Sequence, residues 1–279
     1  MADKEIERQE GESEEAFAER RKLVSNLSHI RHTVAVLSGK GGVGKSTVAV
    51  NLAMALALAG QKVGLLDVDI HGPSVPTMLG LEGEAAMARA DKLIPFEVAG
   101  VKIMSMGFFL ESQDEPVIWR GPMKMKMISQ FLADVDWGDL DYLIIDSPPG
   151  TGDEPLSVCQ LIGRLDGAVI VTTPQRVASV DVRKAITFCR RLNVPVLGVV
   201  ENMSGFVCPE CGRVTYILRS GGGKIMSDEM GVPFLGSIPL DPAIADAGDS
   251  GQAYVRDHPE SPTTTIIREI ADSLIKAAD

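Results

Sequence analysis

The segment at residues 39–47 constrains this chain more than any other part of its sequence. It reads GKGGVGKST and lies between an apolar run at residues 33–38 and an Ala- and Leu-rich stretch at residues 47–59 that ends at Gly60. The apolar run predicts a buried strand, and the stretch after the segment predicts a helix with a glycine stop. Glycines let successive backbone N–H groups turn inward around an anion, and the helix N-terminus adds positive charge. The segment therefore predicts a phosphate-binding loop.

Individual positions of this loop predict distinct roles. The loop fits the pattern Gly-x-x-x-x-Gly-Lys-[Ser/Thr]. Lys45 is expected to neutralise the β- and γ-phosphate oxygens of ATP and to serve catalysis, and Ser46 is expected to bind Mg²⁺. Lys40 is an additional lysine whose amine could act across a dimer interface on a partner's phosphates during hydrolysis. We predict nucleotide contacts from the whole loop: Gly39, Lys40, Gly41, Gly42, Val43, Gly44, Lys45, Ser46 and Thr47.

Carboxylates at the ends of two predicted strands are candidates for the metal and hydrolysis chemistry. Asp146 follows an apolar run at residues 142–145, and we predict that it binds Mg²⁺. Asp67 and Asp69 follow a second run at residues 62–66. We predict Asp67 as an outer Mg²⁺ contact and Asp69 as the residue that orients the attacking water, although either could take that role. Capping of the next turn is the simpler alternative for each carboxylate.

Two further strand ends are candidates for contact with the nucleotide base. The sequence Glu201-Asn202-Met203 ends one predicted strand, and the amide of Asn202 can donate to and accept from a purine edge. The loop that contains Pro239 and Asp241 follows the next strand and could cover the base. Turn formation would explain Asn202 equally well.

The rest of the chain continues an alternation of strands and helices. Further strand-like runs lie at residues 101–104, 168–172, 196–200 and 234–237, and helix-length patterns lie at residues 123–132, 155–162, 180–192, 223–230 and 263–277. This alternation predicts an α/β fold in which helices cover both faces of a mostly parallel sheet and ligands bind at the carboxyl ends of the strands. We expect one such domain at residues 23–279, preceded by an acidic flexible arm or frayed helix at residues 1–22.

The charge of the chain argues against several classes of function. The sequence has 38 acidic and 27 basic residues, a formal net charge of -11 and a pI near 4.9. Such a field repels nucleic acid and anionic lipid. No apolar stretch reaches the roughly 20 residues that span a bilayer, and the first residues lack the layout of a signal peptide. We expect a cytoplasmic protein that binds neither nucleic acid nor membrane.

Cys208 and Cys211 form a C-x-x-C pair in a loop that follows a strand end. The intervening Pro-Glu and the following Gly let backbone N–H groups point at the sulfurs, which favours metal or cluster binding over a redox disulfide. A zinc site or a [4Fe–4S] cluster normally takes four protein ligands, and this pair supplies two. We therefore expect a second copy of the loop, across the axis of a homodimer, to supply the others. Cys159 and Cys189 lie in apolar helical patterns and are predicted to pack in the core.

Several motifs together resemble the Mrp/Nbp35/ApbC family of deviant Walker A ATPases in the SIMIBI class of P-loop NTPases. They are GKGGVGKST at residues 39–47, DVDIHGPS at 67–74, WRGP at 119–122, DSPPGTGD at 146–153, ENM at 201–203 and CPEC at 208–211. The resemblance implies a dimeric ATPase that carries a labile [4Fe–4S] cluster between two chains and delivers it to apo-proteins. It also implies that Lys40 is the signature lysine and that Asn202 contacts adenine.

The N-terminal segment contains no cysteine, so the resemblance is to a short form with a single cluster site. We expect slow, Mg²⁺-dependent hydrolysis that is coupled to cluster binding or transfer. Two alternatives stay open at this point. One is a positioning ATPase of the MinD or ParA type, which leaves the C-x-x-C pair unexplained. The other is an ATPase dimer that zinc holds together, which ligand counting permits equally well.

Overall fold

The computed structural model describes residues 8, 11–70, 72–110, 121–163, 165–208 and 210–278, without the side chains of residues 121–122 and 176–179. The helices are α1 (Glu14–Leu27), α2 (Lys45–Leu58), α3 (Val75–Met78), α4 (Gly121–Asp134), α5 (Asp153–Ile162), α6 (Arg176–Arg191), α7 (Gly222–Met230), α8 (Pro242–Asp249), α9 (Tyr254–Asp257) and α10 (Pro262–Ala278). The strands are β1 (Ile30–Ser38), β2 (Val63–Asp67), β3 (Met87–Arg89), β4 (Lys92–Ile94), β5 (Phe96–Val98), β6 (Val101–Ser105), β7 (Leu140–Asp146), β8 (Gly167–Thr172), β9 (Val196–Glu201), β10 (Phe206–Val207), β11 (Val214–Thr215) and β12 (Phe234–Ser237).

In the described part of the chain, eight strands form one sheet in the order β12-β9-β8-β1-β7-β2-β6-β5. Every neighbouring pair in it is parallel except β5 with β6, which is antiparallel. Each residue of β2 and β8 is buried. Because successive side chains of a strand point to opposite faces, complete burial means that both faces of the sheet are covered. The predicted α/β fold with a mostly parallel, doubly covered sheet is confirmed.

The parallel register brings the predicted site residues to one edge of the sheet. Asp67 at the end of β2 pairs with Asp146 at the end of β7, and Asp146 also pairs with Val36 of β1. On the other side of β1, Thr172 of β8 pairs with Glu201 of β9. The loops that follow these strands therefore meet above the same edge.

The N-terminal segment differs from the predicted arm. Helix α1 runs through the expected boundary at residue 22 and packs on α4. The Asn26 amide donates to the carbonyl oxygens of Leu132 at 2.7 Å and Val135 at 3.0 Å. The structure describes all of α1, and no residue of it is fully buried, so its sequence resembles a solvated segment. Polar contacts and the partly buried Leu23 and Leu27, which pack against the core, hold it in place. Residues 1–7, 9 and 10 lie outside the described residues, as do His71, Trp119, Arg120 and Pro209 of the quoted motifs.

No helix within the described ranges has the length and apolar character needed to cross a membrane.

Candidate functional site

The phosphate loop connects the end of β1 to the first turn of α2 and needs glycine at specific positions. Gly44 has a φ of 78°, and a Cβ there would lie 2.2 Å from Nδ2 of Asn202. A Cβ at Gly39 would lie 2.3 Å from the backbone oxygen of Asp181 in α6. These approaches leave no room for a side chain, so the loop is held tightly between β9 and α6.

Lys45 is the cation at the centre of this site. Its side chain is 6% exposed, and its Nζ lies 2.5 Å from Oδ1 of Asp146 and 3.5 Å from Oδ2 of Asp69. It also donates to the Ser46 hydroxyl at 3.3 Å. The loop lysine therefore contacts the loop serine and two of the three strand-end carboxylates that the sequence singles out, Asp69 and Asp146. The capping alternative does not account for Asp146, because its Oδ1 bonds the lysine.

The carboxylates beside Lys45 lie in an environment that disfavours negative charge. Asp67 accepts hydrogen bonds from the Asp69 backbone N–H at 3.0 Å and from the Ser105 hydroxyl at 2.9 Å. Burial, together with the nearby charge of Asp146, raises the pKa of Asp67 to about 8, while Lys45 opposes this shift. Burial also raises the pKa of Asp146. An added divalent cation would relieve this cost, since nearby positive charge favours the ionised carboxylate.

One buried carboxylate oxygen beside Lys45 has no hydrogen-bond partner among the described residues. Within the residues that the structure describes, Asp146 Oδ2 and Ser147 Oγ are buried without a hydrogen-bond partner. Buried polar atoms are normally paired, so an unpaired carboxylate oxygen beside a phosphate loop indicates a position for a ligand. Oxygen ligands of this kind suit Mg²⁺.

Lys40 is half-buried at the start of the loop, and its carbonyl oxygen accepts from the Ser38 hydroxyl at 2.9 Å. Its ammonium forms no ion pair with any residue in the described ranges. Its action across a dimer interface stays a prediction.

Asn202 contacts the phosphate loop directly. Its Nδ2 donates to the Val43 carbonyl oxygen at 2.9 Å, and its backbone N–H donates to the Thr172 carbonyl oxygen at 2.7 Å. The side chain is 6% exposed. Asn202 therefore fixes the loop to the end of β9, a role that neither base contact nor turn formation anticipates; its contact with adenine stays a prediction.

Glu201, which the sequence interpretation left without a role, is fully buried beside Asn202. Its Oε1 accepts from the Ser204 hydroxyl at 2.5 Å and from the Gly221 N–H at 3.0 Å, and its Oε2 accepts from the Gly223 N–H at 2.6 Å. Gly222 begins α7, so the carboxylate lies at a helix N-terminus, where negative charge is favourable. The quoted ENM motif and the glycine run at residues 221–223 are the sequence signals that could have found it.

Asp241, for which a base contact is predicted, forms hydrogen bonds to three groups of the chain, and its contact with nucleotide stays a prediction. It caps the N-terminus of α8, where its Oδ1 accepts from the Ala243 N–H at 3.0 Å. Its Oδ2 accepts from the Tyr254 hydroxyl at 2.6 Å and from the Thr263 hydroxyl at 2.9 Å. These donors turn the carboxylate toward α9 and α10, so this geometry lends no support to a nucleotide contact from the Asp241 side chain. The contact from Pro239 stays a prediction.

The two cysteines lie at the tip of a small hairpin made by β10 and β11. The turn is closed by the Cys208 N–H, which donates to the Arg213 carbonyl at 3.0 Å, and by the Gly212 N–H, which donates to the Cys208 carbonyl at 2.8 Å. The backbone N–H groups of Cys211 and Glu210 point at the Cys208 sulfur and lower the pKa of Cys208. Cys208 is half-buried and Cys211 is exposed, so both thiols are accessible for ligation.

One chain supplies an incomplete metal site at this hairpin. Across the described ranges, no group of three or more His, Cys, Asp or Glu side chains is arranged to hold a metal ion. The other two cysteines are buried, as predicted, and burial raises the pKa of Cys159 to about 11 and that of Cys189 to about 12. They are therefore poor candidates for thiolate ligands.

Exposed apolar side chains surround the cysteine hairpin. Val207 and Val214 face each other across β10 and β11, and each is 47% exposed. Tyr216 and Ile217, which follow directly, are 58% and 59% exposed. A cluster of exposed large apolar residues is typical of a surface that another molecule covers.

Comparison with known proteins gives consistent matches over most of the chain. A family model within the ParA group, described as NUBPL iron-transfer P-loop NTPase, matches residues 29–275. The chain is 52% identical over 259 residues to the iron-sulfur cluster carrier protein of Saccharolobus solfataricus, which covers 92% of this chain and 88% of that protein. It is 47% identical over 257 residues to the human cytosolic Fe-S cluster assembly factor NUBP2, covering 90% of this chain and 95% of the human protein.

Solved structures match as well. The nucleotide-binding protein of Archaeoglobus fulgidus in complex with ADP is 41% identical with a TM-score of 0.74, over 84% of this chain and 91% of that one. The septum site-determining protein MinD of Pyrococcus horikoshii with Mg-ADP is 24% identical with a TM-score of 0.67, over 88% and 97% of the two chains. The second likeness concerns the fold alone.

Proposed function

Because this chain belongs to the family of NUBPL iron-transfer P-loop NTPases, we propose that it binds and hydrolyses ATP and carries an iron–sulfur cluster to apo-proteins. The family match and the identities to named cluster carriers confirm the resemblance that the sequence motifs predict. The observation that carries the proposal is the meeting, at one sheet edge, of a phosphate loop with buried carboxylates and a C-x-x-C hairpin.

The nucleotide chemistry is assigned to residues that contact one another at that edge. Ser46 and Asp146 would hold Mg²⁺, which would neutralise phosphate charge, and Asp67 would support the ion through an outer contact. The ammonium group of Lys45, which contacts Asp146, would turn to the β- and γ-phosphate oxygens of ATP and neutralise them. Asp69, 3.5 Å from Lys45, would orient the attacking water. Hydrolysis is expected to be slow, and Lys40 would act on the phosphates of the nucleotide bound to a second chain.

The cluster is cargo, and its ligands are Cys208 and Cys211 from each of two chains. The lowered pKa of Cys208 favours the thiolate that iron binds, and one hairpin provides two of the four ligands that a [4Fe–4S] cluster takes. In a two-fold dimer the exposed Val207, Val214, Tyr216 and Ile217 would be buried around the cluster. A zinc ion held by the same four sulfurs would join the chains equally well, and the experiment below separates the two.

The names of relatives and the charge of the chain support proposals about its compartment and partners. Relatives carry names that place them in the cytosol, and we propose the cytosol for this protein. The acceptors would be apo-proteins that need a cluster, and the net charge of -11 argues against nucleic acid as a partner.

The test is anaerobic reconstitution with iron and sulfide, followed by incubation with an apo-protein that needs a [4Fe–4S] cluster. We expect transfer to the acceptor, measured as recovery of the acceptor's activity, at a rate that changes when Mg²⁺–ATP is added. The Cys189→Ser variant, which changes a buried thiol away from the hairpin, should transfer as the wild type does. Uptake of zinc without iron would contradict the carrier function and favour the zinc-joined dimer.

A further inference from the structure

Glu201 and Asn202 at the end of β9 connect the phosphate loop to the cysteine hairpin through side-chain hydrogen bonds. We propose that Glu201 is a positioning residue that couples nucleotide binding at the loop to metal binding at the hairpin, with Asn202 as the contact on the loop side. This inference rests on the proposed function, because it requires that both sites bind their ligands.

The Glu201 carboxylate holds the hairpin at both of its ends. It accepts from the Ser204 hydroxyl before the hairpin and from the Gly221 and Gly223 N–H groups after it, at 2.5, 3.0 and 2.6 Å. The carboxylate thus closes the base of the segment at residues 205–220, which contains both cysteines. The Glu201 residue that accepts these three hydrogen bonds is itself fully buried.

The backbone at Gly221 and Gly223, which follows the hairpin, packs closely against Glu201. A Cβ at Gly223 would lie 3.1 Å from Cβ of Glu201 and 3.2 Å from its Oε2, and Gly221 has a φ of 78°. Glycine therefore allows the backbone N–H groups to reach the carboxylate. A shift of Glu201 would move the second arm of the hairpin with it.

The side chain of Asn202, the residue after Glu201, packs against the phosphate loop. Its Nδ2 is 2.9 Å from the Val43 carbonyl oxygen, and a Cβ at Gly44 would lie 2.2 Å from the same nitrogen. Rearrangement of Val43 and Gly44 around phosphates would change this contact. Because Asn202 and Glu201 are consecutive, the change would reach the base of the hairpin without passing through any other element.

The first arm of the hairpin has a second anchor on the loop after β12. The Ser204 N–H donates to the Ile238 carbonyl at 2.8 Å, and the Leu240 N–H donates to the Gly205 carbonyl at 2.7 Å. These bonds fix the arm that enters the hairpin. The Glu201 bonds to Gly221 and Gly223 fix the arm that leaves it, so a change at Glu201 would alter the separation of the two arms.

Thermodynamic linkage makes this proposal measurable. If nucleotide changes the metal affinity of the cysteines by some factor, then metal must change the nucleotide affinity by the same factor. A purely structural Glu201 would influence stability but would not set this factor.

The experiment uses Co²⁺ as the probe of the cysteines in the full-length chain, under anaerobic conditions and with Mg²⁺ in excess. The thiolate-to-cobalt charge-transfer absorbance reports ligation by sulfur and is silent about Co²⁺ bound with nucleotide. For the wild type we expect a non-hydrolysable ATP analogue to change the Co²⁺ dissociation constant by at least about fivefold, with the reciprocal change in nucleotide affinity. For Glu201→Gln, which replaces one acceptor oxygen by a donor amide, we expect this factor to fall toward one while the analogue binds as before.

The matched control is Asp166→Asn. Asp166 also accepts from a backbone N–H and a hydroxyl, those of Thr33 at 2.8 and 3.1 Å, but it does so near the opposite edge of the sheet. The Asp166→Asn variant should keep the wild-type factor between nucleotide and Co²⁺ affinity even if its melting temperature falls. Ser204→Ala, which removes one of three donors to Glu201, should give an intermediate factor and serves in place of Glu201→Gln if that variant does not fold.

The possible results separate a failure of the coupling from a failure of the carrier function. A wild-type factor of one, with both ligands bound, would overturn the coupling and leave the carrier function intact. A folded Glu201→Gln that keeps the wild-type factor would overturn the role of Glu201. A wild type whose cysteines bind neither Co²⁺ nor a reconstituted cluster would overturn the carrier function, and the coupling with it.

Discussion

The phosphate loop and the cysteine hairpin lie at the same edge of one sheet, but they are built in opposite ways. The nucleotide site has its charged side chains buried, with Lys45 at 6% exposure in contact with Asp146 and Asp69. The hairpin is formed by strands of two residues each, and Cys211 at its tip is exposed. The first site is pre-arranged within one chain, whereas the second offers two of the four ligands that we propose for the cluster.

This difference suggests how one fold can both hold a nucleotide and release a metal cluster. Buried carboxylates fixed by strand register keep a constant geometry, since the ends of β1, β2 and β7 are hydrogen-bonded together. A solvent-facing pair of thiols on a short hairpin has few contacts to keep its cargo in place. The first two predictions below each change one site and ask whether the other keeps its affinity when the first site has no ligand.

The largest effect is expected at the hairpin. Cys208→Ser or Cys211→Ser should lose the cluster completely, because a serine hydroxyl is a poor ligand for iron and one remaining thiol cannot hold it. Nucleotide affinity, measured by calorimetry on the metal-free protein, should stay within about twofold of the wild type. Cys159→Ser, a change to a buried thiol, is the control and should retain iron. Retention of iron by Cys208→Ser would contradict the ligand assignment.

The second effect is expected at the phosphate loop. Lys45→Ala should weaken ATP binding at least about tenfold, because it removes the charge assigned to the β- and γ-phosphates and leaves Asp146 and Asp69 without this cation. Co²⁺ binding at the cysteines, measured without nucleotide, should not change.

Lys40→Ala is the companion variant. If Lys40 acts across the interface, it should lower ATP turnover much more than ATP affinity. Equal losses of affinity in Lys40→Ala and Lys45→Ala would contradict a role in trans.

Much of the nucleotide site could be predicted from the sequence, because its signals are local. β12 has the predicted bounds of residues 234–237, and Asp67 and Asp146 come to one edge because parallel strands must end there. The sequence interpretation gives Glu201 no role, because the ENM motif and the glycine run at residues 221–223 do not by themselves show that folding brings them together. The same holds for Asp241, whose donors Tyr254 and Thr263 are brought by helices that follow it.

Short or weakly apolar elements were also missed. β3, β4 and β5 have three residues each, too few for a periodic pattern to be recognised. Helix α1 has no fully buried residue, and its contacts to α4 depend on the tertiary arrangement. Helix α1 crosses the predicted division of the chain at residue 22, and the division itself stays a prediction.

The smallest effect concerns the pH dependence of stability. Since burial raises the pKa of Asp67 to about 8, the folded protein binds a proton that the unfolded chain loses near its ordinary pKa of about 4. Stability should therefore fall as the pH rises from about 4 to about 8. In Asp67→Asn this loss is absent, so its melting temperature should rise relative to that of the wild type as the pH increases over that range.

The control for this trend is Asp141→Asn. The Lys62 N–H and Arg31 lower the pKa of Asp141, so its ionised form is favoured on folding. That variant should be less stable than the wild type, with no gain as the pH rises. A constant difference between Asp67→Asn and the wild type over the same range would contradict the raised pKa of Asp67.

The central claim is that two chains complete one cluster site, and the direct test is native mass spectrometry of the anaerobically reconstituted protein together with iron and sulfide analysis. The account predicts a dimer with about four iron atoms and about four sulfides, which separates into metal-free monomers in Cys211→Ser. A monomer that carries four irons, or a dimer that holds one zinc and takes up no iron, would contradict it.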